Sequence, residues 1–467
     1  MASPPWAGAA SHEQFFVLLT GANSGVGLGT GQRIIDEFLA SRSLSSHLIL
    51  IPTTRSVSKS RDTILSLRAH LRKTAKTSQQ LRSRAGHDYD PQTAISRVHI
   101  LSIQVDLCNL RSIYAAAKQL VHSTVNDPTG EIKDVKIPRL DVTVFNAGIG
   151  GWSGLDWCLF AKQFIQVGLV QSCTFPIFKK ALPAATLDKK KLLGDSAADL
   201  KTPPPDLAEV FCANVFGHYI LAHELLPLLS RSQPSEPRAR VIWTSTIDAG
   251  HEHLSFDDFQ ALQYKPPYES SKRITDLLCL TEDLPTVKKV SSSYFSSPAA
   301  ADKPIKPRFY VSHPGVVCTP LFPLNWILYW GYYAAMYLAR WLGSAWHPVE
   351  PYLGACAATW LALADQDSLD ELNAERVKWG TCATRSGRVM PKKAEVDGWG
   401  WEGVVEDREK LKRDPTPGVL HKLRGRKWDA EDLTEEKREE FEEDGRKCWA
   451  ELERLRIAWE EALGEKK

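Results

Sequence analysis

The turn Thr20-Gly21-Ala-Asn-Ser-Gly25-Val-Gly27, entered directly from the apolar run Phe15–Thr20, constrains the fold more than any other stretch of this chain. Glycine is required where a Cβ would block close approach of a phosphate or where φ is positive. A helix that starts at such a turn presents unpaired N–H groups and the positive end of its dipole to an anion. The pattern therefore predicts a βα unit whose turn, formed by Gly21, Asn23, Ser24, Gly25, Val26 and Gly27, cradles a pyrophosphate.

Apolar, β-branched runs alternate with longer helical stretches along the next 350 or so residues, the signature of parallel βαβ architecture. Strands are predicted at Phe15–Thr20, His47–Pro52, His99–Val105, Asp141–Asn146, Arg240–Thr244 and Arg308–His313, with a seventh at Arg376–Ala383. The first crossover helix is placed at Gly31–Ala40 and a long apolar helix at Asp206–Leu229. The fold class is α/β, a doubly wound parallel sheet of the Rossmann type, with insertions and a C-terminal helical extension. One reductase-sized domain spans 1–398. It carries an insertion at 150–205, a Ser/Ala/Pro-rich flexible loop at 291–306 and an uncharged, Trp- and Tyr-rich lid at 321–346. Thr74–Pro91 reads as a polar, exposed connection. The extension, 399–467, is charged; Asp432 and Glu435 suggest a capping box, and Cys448, Leu452, Leu455 and Trp459 form a stripe predicted to dock on the core.

With 58 basic and 56 acidic residues, net charge +2, no global field points to nucleic acid. Nine cysteines include no C-x-x-C pair and no zinc spacing, so no metal is expected. The chain starts without a basic region followed by an apolar run, so a secretory signal is not expected.

At the end of the second strand an acid would bind a ribose 2′-hydroxyl and an arginine a 2′-phosphate. This chain has Pro52-Thr-Thr-Arg55, then Lys59 and Arg61, and no acid before Asp62. NADP(H) is the expected cofactor, with Arg55 on its phosphate. Tyr268-Glu-Ser-Ser-Lys272 places a phenol and an ammonium one helical turn apart. A lysine at about 4 Å contributes about 4 kcal/mol at an effective dielectric near 20, enough to bring a phenol down by roughly two to three pH units. Tyr268 is thus the expected proton donor and Lys272 its activator.

The order of these motifs resembles the short-chain dehydrogenase/reductase family. T-G-x-x-x-G-x-G, Asp106-Leu107, Asn146-Ala147-Gly148, Asn214, Ser245, Tyr268/Lys272 and Pro314-Gly315-Val-Val-Cys-Thr319 all match its pattern. The resemblance implies that Asp106 and Leu107 flank the adenine and that Asn146, Ala147 and Gly148 line the middle of the cofactor. It further implies that Asn214 holds a relay water, that Lys272 also binds the nicotinamide ribose, and that Val316, Val317 and Thr319 meet the nicotinamide. Two gaps depart from the family. Asn146 to Asn214 is 68 residues and Ser245 to Tyr268 is 23, so Ser245, Thr246 and Ser255 compete as the carbonyl-polarising hydroxyl. Ser245 or Thr246 is favoured because a strand end is a fixed platform.

Val241-Ile-Trp-Thr-Ser245, Phe256-Asp-Asp-Phe259, Tyr268-Glu-Ser-Ser-Lys-Arg-Ile-Thr-Asp276, Tyr310-Val-Ser-His-Pro-Gly315 and Lys378-Trp-Gly380 are similar to the 3-ketosteroid reductases of sterol C-4 demethylation, above all the fungal ones. That resemblance implies NADPH-dependent reduction of a sterol C-3 ketone to the 3β-alcohol. It also implies an endoplasmic reticulum or lipid-droplet surface with the catalytic domain facing the cytosol, and a complex with the C-4 oxidase and the decarboxylating dehydrogenase. Reduction of another apolar carbonyl, a 17-keto steroid or retinoid, and a scaffolding role are the alternatives. The uncharged stretch Leu321–Ala339 fits an interfacial lid, a bilayer span or buried core.

Overall fold

The computed structural model describes residues 4–194, 203–295, 304–319, 326–405 and 425–465. Its strands are β1 (Gln14–Leu19), β2 (His47–Thr54), β3 (Val98–Ile100), β4 (Ile103–Gln104), β5 (Val142–Phe145), β6 (Trp152–Leu155), β7 (Lys179–Ala181), β8 (Arg240–Thr244), β9 (Arg308–His313), β10 (Lys378–Ala383) and β11 (Val389–Ala394). The main sheet runs β11-β10-β9-β8-β5-β1-β2-β3, with β4 also beside β2. All its pairs are parallel except β10 with β11. The order reverses between β1 and β5, which places the ligand crevice of a doubly wound sheet at their C-terminal ends.

The strands are apolar on consecutive residues because both faces are covered. Phe16 and Leu18 of β1 and Ile49 and Ile51 of β2 enter one core, while Val17, Leu19, Leu48 and Leu50 enter the other. Helices Gly25–Ser41, Val57–Thr77 and Cys356–Leu363 supply the second core, and Leu110–His122, Gly217–Glu224 and Pro267–Thr281 the first.

Several expectations change in detail. The predicted third strand divides into β3 and β4, and between them the Ser102 hydroxyl donates to the Pro52 carbonyl of β2. Thr74–Pro91 is mostly exposed, as expected, but much of it is helical. Helix Val57–Thr77 runs into it and helix Gln79–Ala85 follows, with His70 and Thr74 held by Asp36 of the first helix. The long apolar helix starts at Glu209, takes a π turn over Cys212–Phe216 and breaks at Leu225 before Pro227. Residues 296–303 of the predicted flexible loop lie outside the described residues. Its flanks are anchored: Tyr294 is buried and Ile305 pairs with Arg231.

The described part of the insertion, which omits residues 195–202, contains the antiparallel hairpin β6–β7 around helix Trp157–Thr174. That helix packs with Trp326–Trp341 around Cys173, Cys318, Met336, Ala339 and Val349. The predicted lid is therefore a helix with one packed side, and Trp326, Trp330 and Trp341 remain exposed. Residues 321–325 of the apolar stretch lie outside the described residues. Among the described residues no helix is long and apolar enough to cross a membrane.

The last helix, Glu435–Leu463, is capped by Thr434, whose hydroxyl accepts the Lys437 N–H. Asp432 does not cap it; its carboxylate pairs with Arg426 at 3.0 Å. The predicted stripe of Cys448, Leu452, Leu455 and Trp459 is fully buried in the first core.

Candidate active site

Gly21 and Gly25 take φ of 68° and 53°, the left-handed region that only glycine enters without strain. A Cβ on Gly21 would lie 2.7 Å from the Ala147 Cα, and one on Gly27 would lie 2.1 Å from the Gly21 carbonyl oxygen. The turn is thus pressed against the loop Asn146–Gly148 that follows β5. The Thr20 hydroxyl accepts the Asn146 and Ala147 N–H groups at 3.0 and 3.1 Å and meets His218 Nε2 at 2.8 Å. His218 is buried and its imidazole is pushed down to about 3, chiefly by desolvation, so it stays neutral while it pins the turn.

Ser24 is the N-cap of helix Gly25–Ser41, yet its side chain makes no cap bond, and the first-turn N–H groups have no intrahelical acceptor. A pyrophosphate fits this arrangement, with Asn23, Ser24, Gly25, Val26 and Gly27 presenting backbone N–H groups. Thr319 closes the cradle from the far end of the chain; its Cγ2 would stand 3.4 Å from a Cβ on Gly25. The segment Val316–Cys318 is held there by the Val316 N–H donating to Trp346 and the Cys318 N–H to Val349. Arg55 is exposed at the end of β2, and Asp106, after β4, accepts the Cys108 N–H at 3.0 Å. Leu107 is buried beside it. The expected cofactor residues therefore converge on one edge of the sheet.

The Pro267–Thr281 helix carries Tyr268 and Lys272. Asn214, in the π turn, ties this helix to the cradle. Its amide accepts the Ile149 N–H at 2.8 Å and donates to the Ile149 carbonyl and the Ser271 hydroxyl. Of the three competing hydroxyls, Thr246, just beyond the end of β8, is the one that acts on the Tyr268 phenol, lowering it against the larger effect of burial. Ser245 is buried and donates to the Lys272 carbonyl at 3.4 Å. Ser255 serves elsewhere: it caps the turn Phe256–Asp258 and accepts the Tyr264 hydroxyl at 2.9 Å.

One expectation is corrected. The Tyr268 phenol lies above its ordinary value, not below it, because burial outweighs the cations near it. The Lys272 ammonium donates to the Thr244 carbonyl at 2.7 Å and lies 5.5 Å from the tyrosine ring centre. Burial, set against Asp276 and reinforced by Lys378, pushes Lys272 down to about 8. Packing around the phenol, with Glu269 acting the same way, pushes Tyr268 up to about 12. Tyr268 is therefore held protonated, the form that can donate.

The insertion supplies neighbours that the motifs did not reveal. Trp152 lies against Tyr268 with ring centres 4.5 Å apart. Lys179 lies 5.3 Å from the centre of the Trp152 ring and is paired with Glu269 and Asp248. The only sequence signal was the early cluster of aromatic residues in the insertion.

Sheet order, glycine cradle and the tyrosine–lysine helix define a nicotinamide-dependent oxidoreductase of the short-chain dehydrogenase/reductase class. No protein-family model matches the chain. It is 50% identical to the 3-keto-steroid reductase of Gibberella zeae, over 100% of this chain and 98% of that protein. It is 40% identical to that of Aspergillus fumigatus, over 96% and 95%, and 26% identical to that of Saccharomyces cerevisiae, over 85% and 93%. The chain belongs to the 3-keto-steroid reductase family within that class.

Proposed function

We propose that this enzyme reduces the C-3 ketone of a sterol intermediate to the 3β-alcohol with NADPH, in the C-4 demethylation stage of ergosterol-type sterol synthesis. The observation that carries the reading is 50% identity to a 3-keto-steroid reductase over essentially both full lengths, on a chain that retains the Thr246–Tyr268–Lys272 constellation. NADPH, when bound, supplies the hydride received at C-3. Tyr268 then gives its phenolic proton to the oxygen that becomes the alcohol. Thr246, which acts on the Tyr268 phenol, polarises the carbonyl, and Lys272 offsets the charge left on the phenol. Asn214 keeps the tyrosine helix in register with the cofactor loop. The direct test is NADPH oxidation by the purified protein with a 4-methyl 3-keto sterol, with product stereochemistry determined. Formation of the 3β-alcohol supports the reading; turnover only of a 17-keto steroid or retinoid overturns the substrate, and cofactor binding without turnover favours a scaffold.

Replacing Thr246 by Ala is expected to lower kcat by about 10²–10³-fold, the usual cost of one donor to a developing oxyanion. Ser255→Ala is expected to change kcat by less than about twofold, since its bonds lie within its own turn. Equal losses in the two variants would remove Thr246 from its role. Arg55→Asp should reverse the preference from NADPH toward NADH, by placing a carboxylate where the 2′-phosphate would sit. An unchanged ratio of kcat/KM values for the two cofactors would displace Arg55 from the site.

The same reading includes a membrane surface, at the endoplasmic reticulum or lipid droplet with the catalytic domain on the cytosolic side, and assembly with the C-4 oxidase and decarboxylating dehydrogenase. Its support is the pair of packed helices that expose Trp326, Trp330 and Trp341 on one and Trp157, Phe164 and Ile165 on the other. Aromatic side chains of this kind favour the bilayer interface. In flotation with phospholipid vesicles, Trp330→Ser/Trp341→Ser should lose most of the bound fraction while turnover in detergent persists. Equal flotation would remove this face from the contact.

A further inference from the structure

The site contains a second buried cation that belongs to none of the motifs. Lys179, at the start of β7, is brought by the insertion hairpin to the tyrosine, 89 residues away in sequence. Its side chain is 15% exposed, and its ammonium is shared between Glu269, beside Tyr268 in the chain, and Asp248 at 3.2 Å. Those carboxylates are 3% and 11% exposed. The second oxygen of Glu269 is buried with no hydrogen-bond partner. Trp152, from the partner strand, lies against Tyr268, donates its indole N–H to Glu269 at 3.2 Å and packs beside the Lys179 ammonium.

We propose that the insertion hairpin is part of the catalytic apparatus, with Lys179 and Trp152 as positioning residues that balance two buried carboxylates around the Tyr268 phenol and hold its ring. The proposal rests on the reductase reading above. Two buried acids with no cation would cost several kcal/mol and would oppose any negative charge on the phenol. Lys179 cancels one of them. Other charged groups acting on the site are Lys272 on the same helix, turned to Thr244, His253, whose Nε2 stands 3.8 Å from Asp248, and Lys378 and Lys427, both of which feel Asp248. Desolvation opposes the charge on Lys179, but Glu269 and Asp248 outweigh it and its ammonium is held above the ordinary lysine range. The same cation works against Glu269 on the phenol. The Lys179 charge therefore persists beyond the point where Lys272, pushed down to about 8, loses its own.

The test reads the phenol itself. The protein is made with 3-fluorotyrosine, the Tyr268 resonance is assigned by its loss in Tyr268→Phe, and its ionisation is followed by fluorine NMR. Lys179→Met should raise that midpoint by about one pH unit, and Lys179→Arg should restore it. Asp248→Asn should move it the other way, which keeps the proposal testable if Lys179→Met does not fold. Trp152→Leu should keep NADPH binding and lower kcat more than it changes KM. Midpoints that agree within about 0.2 of a pH unit in all variants would overturn the proposal, because a merely structural hairpin would not move them in opposite directions. This readout needs no substrate, so wild-type protein inactive on 3-keto sterols would defeat the reductase reading and leave the electrostatic result standing.

Discussion

Tyr268→Phe is expected to lower kcat for ketone reduction by about 10²–10⁴-fold, the contribution of a positioned acid, and to leave NADPH affinity within about twofold. The phenol is the proton donor, but the cofactor cradle is formed by Gly21–Gly27, Asn146–Gly148 and Thr319, which the substitution does not touch. Fluorescence titration with NADPH beside steady-state turnover separates the two effects, and retained turnover would end the assignment of Tyr268. The pH dependence follows from the same site. Tyr268 stands near 12 and Lys272 near 8. Lys272 is a base whose native value lies below its ordinary one, so its charged form is full below about 8 and disappears as pH rises through it. Reduction needs that ammonium to offset the charge left on the phenol. The alkaline limb of kcat/KM should therefore fall near pH 8, well before the tyrosine ionises. A limb above about pH 10 would show that the tyrosine sets it.

Much of this site was readable in the chain because its parts are local. A glycine turn after an apolar strand, and a tyrosine and lysine one turn apart, carry their geometry in their spacing. The parallel strands announced themselves because both faces are buried, which forces consecutive apolar residues. What escaped notice was non-local or atypical. β11, with Pro391, Lys392 and Lys393, lacks an apolar run because it is an edge strand, where proline and lysine are tolerated. The hairpin β6–β7 is short, and nothing in Trp-Ser-Gly-Leu or Lys-Lys-Ala marks the pairing that places Trp152 and Lys179 against Tyr268. Thr246 and Ser245 could not be separated by spacing, because adjacent residues at a strand end point in different directions and only packing chooses between them. The net position of the Tyr268 phenol was not legible for a related reason: a one-turn spacing brings the two side chains near each other but does not say how deeply packing buries the phenol.

Ending the chain at Thr434 should prevent folding altogether, although the removed segment is the most charged and least motif-rich part of the sequence. Helix Glu435–Leu463 presents Phe441, Trp449, Leu452, Leu455 and Trp459 to the core, all essentially inaccessible. Trp449 packs against Tyr219 and Tyr294 at 5.8 and 5.5 Å between ring centres. Glu453 accepts the Tyr219 hydroxyl at 2.7 Å, and Gly445 allows such close approach that a Cβ there would lie 2.3 Å from the Thr281 hydroxyl. Thr281 ends the helix that carries Tyr268 and Lys272, so the extension braces the catalytic helix directly. Burying a large apolar side chain contributes about 1.5–3 kcal/mol; five of them reach the order of 10 kcal/mol, comparable with the about 5–15 kcal/mol that separates folded from unfolded proteins. The truncated protein should accordingly be insoluble or show no cooperative melting transition. Finer variants grade the effect: Trp459→Ala should cost about 3–5 kcal/mol, whereas Ile457→Ser, on the exposed face of the same helix, should stay within about 0.5 kcal/mol. A soluble, NADPH-binding chain ending at Thr434 would mean that the catalytic helix is held by the sheet alone. The buried Lys378–Asp276 pair at 2.6 Å would then be its chief anchor, and removing one member of such a pair costs about 3–5 kcal/mol.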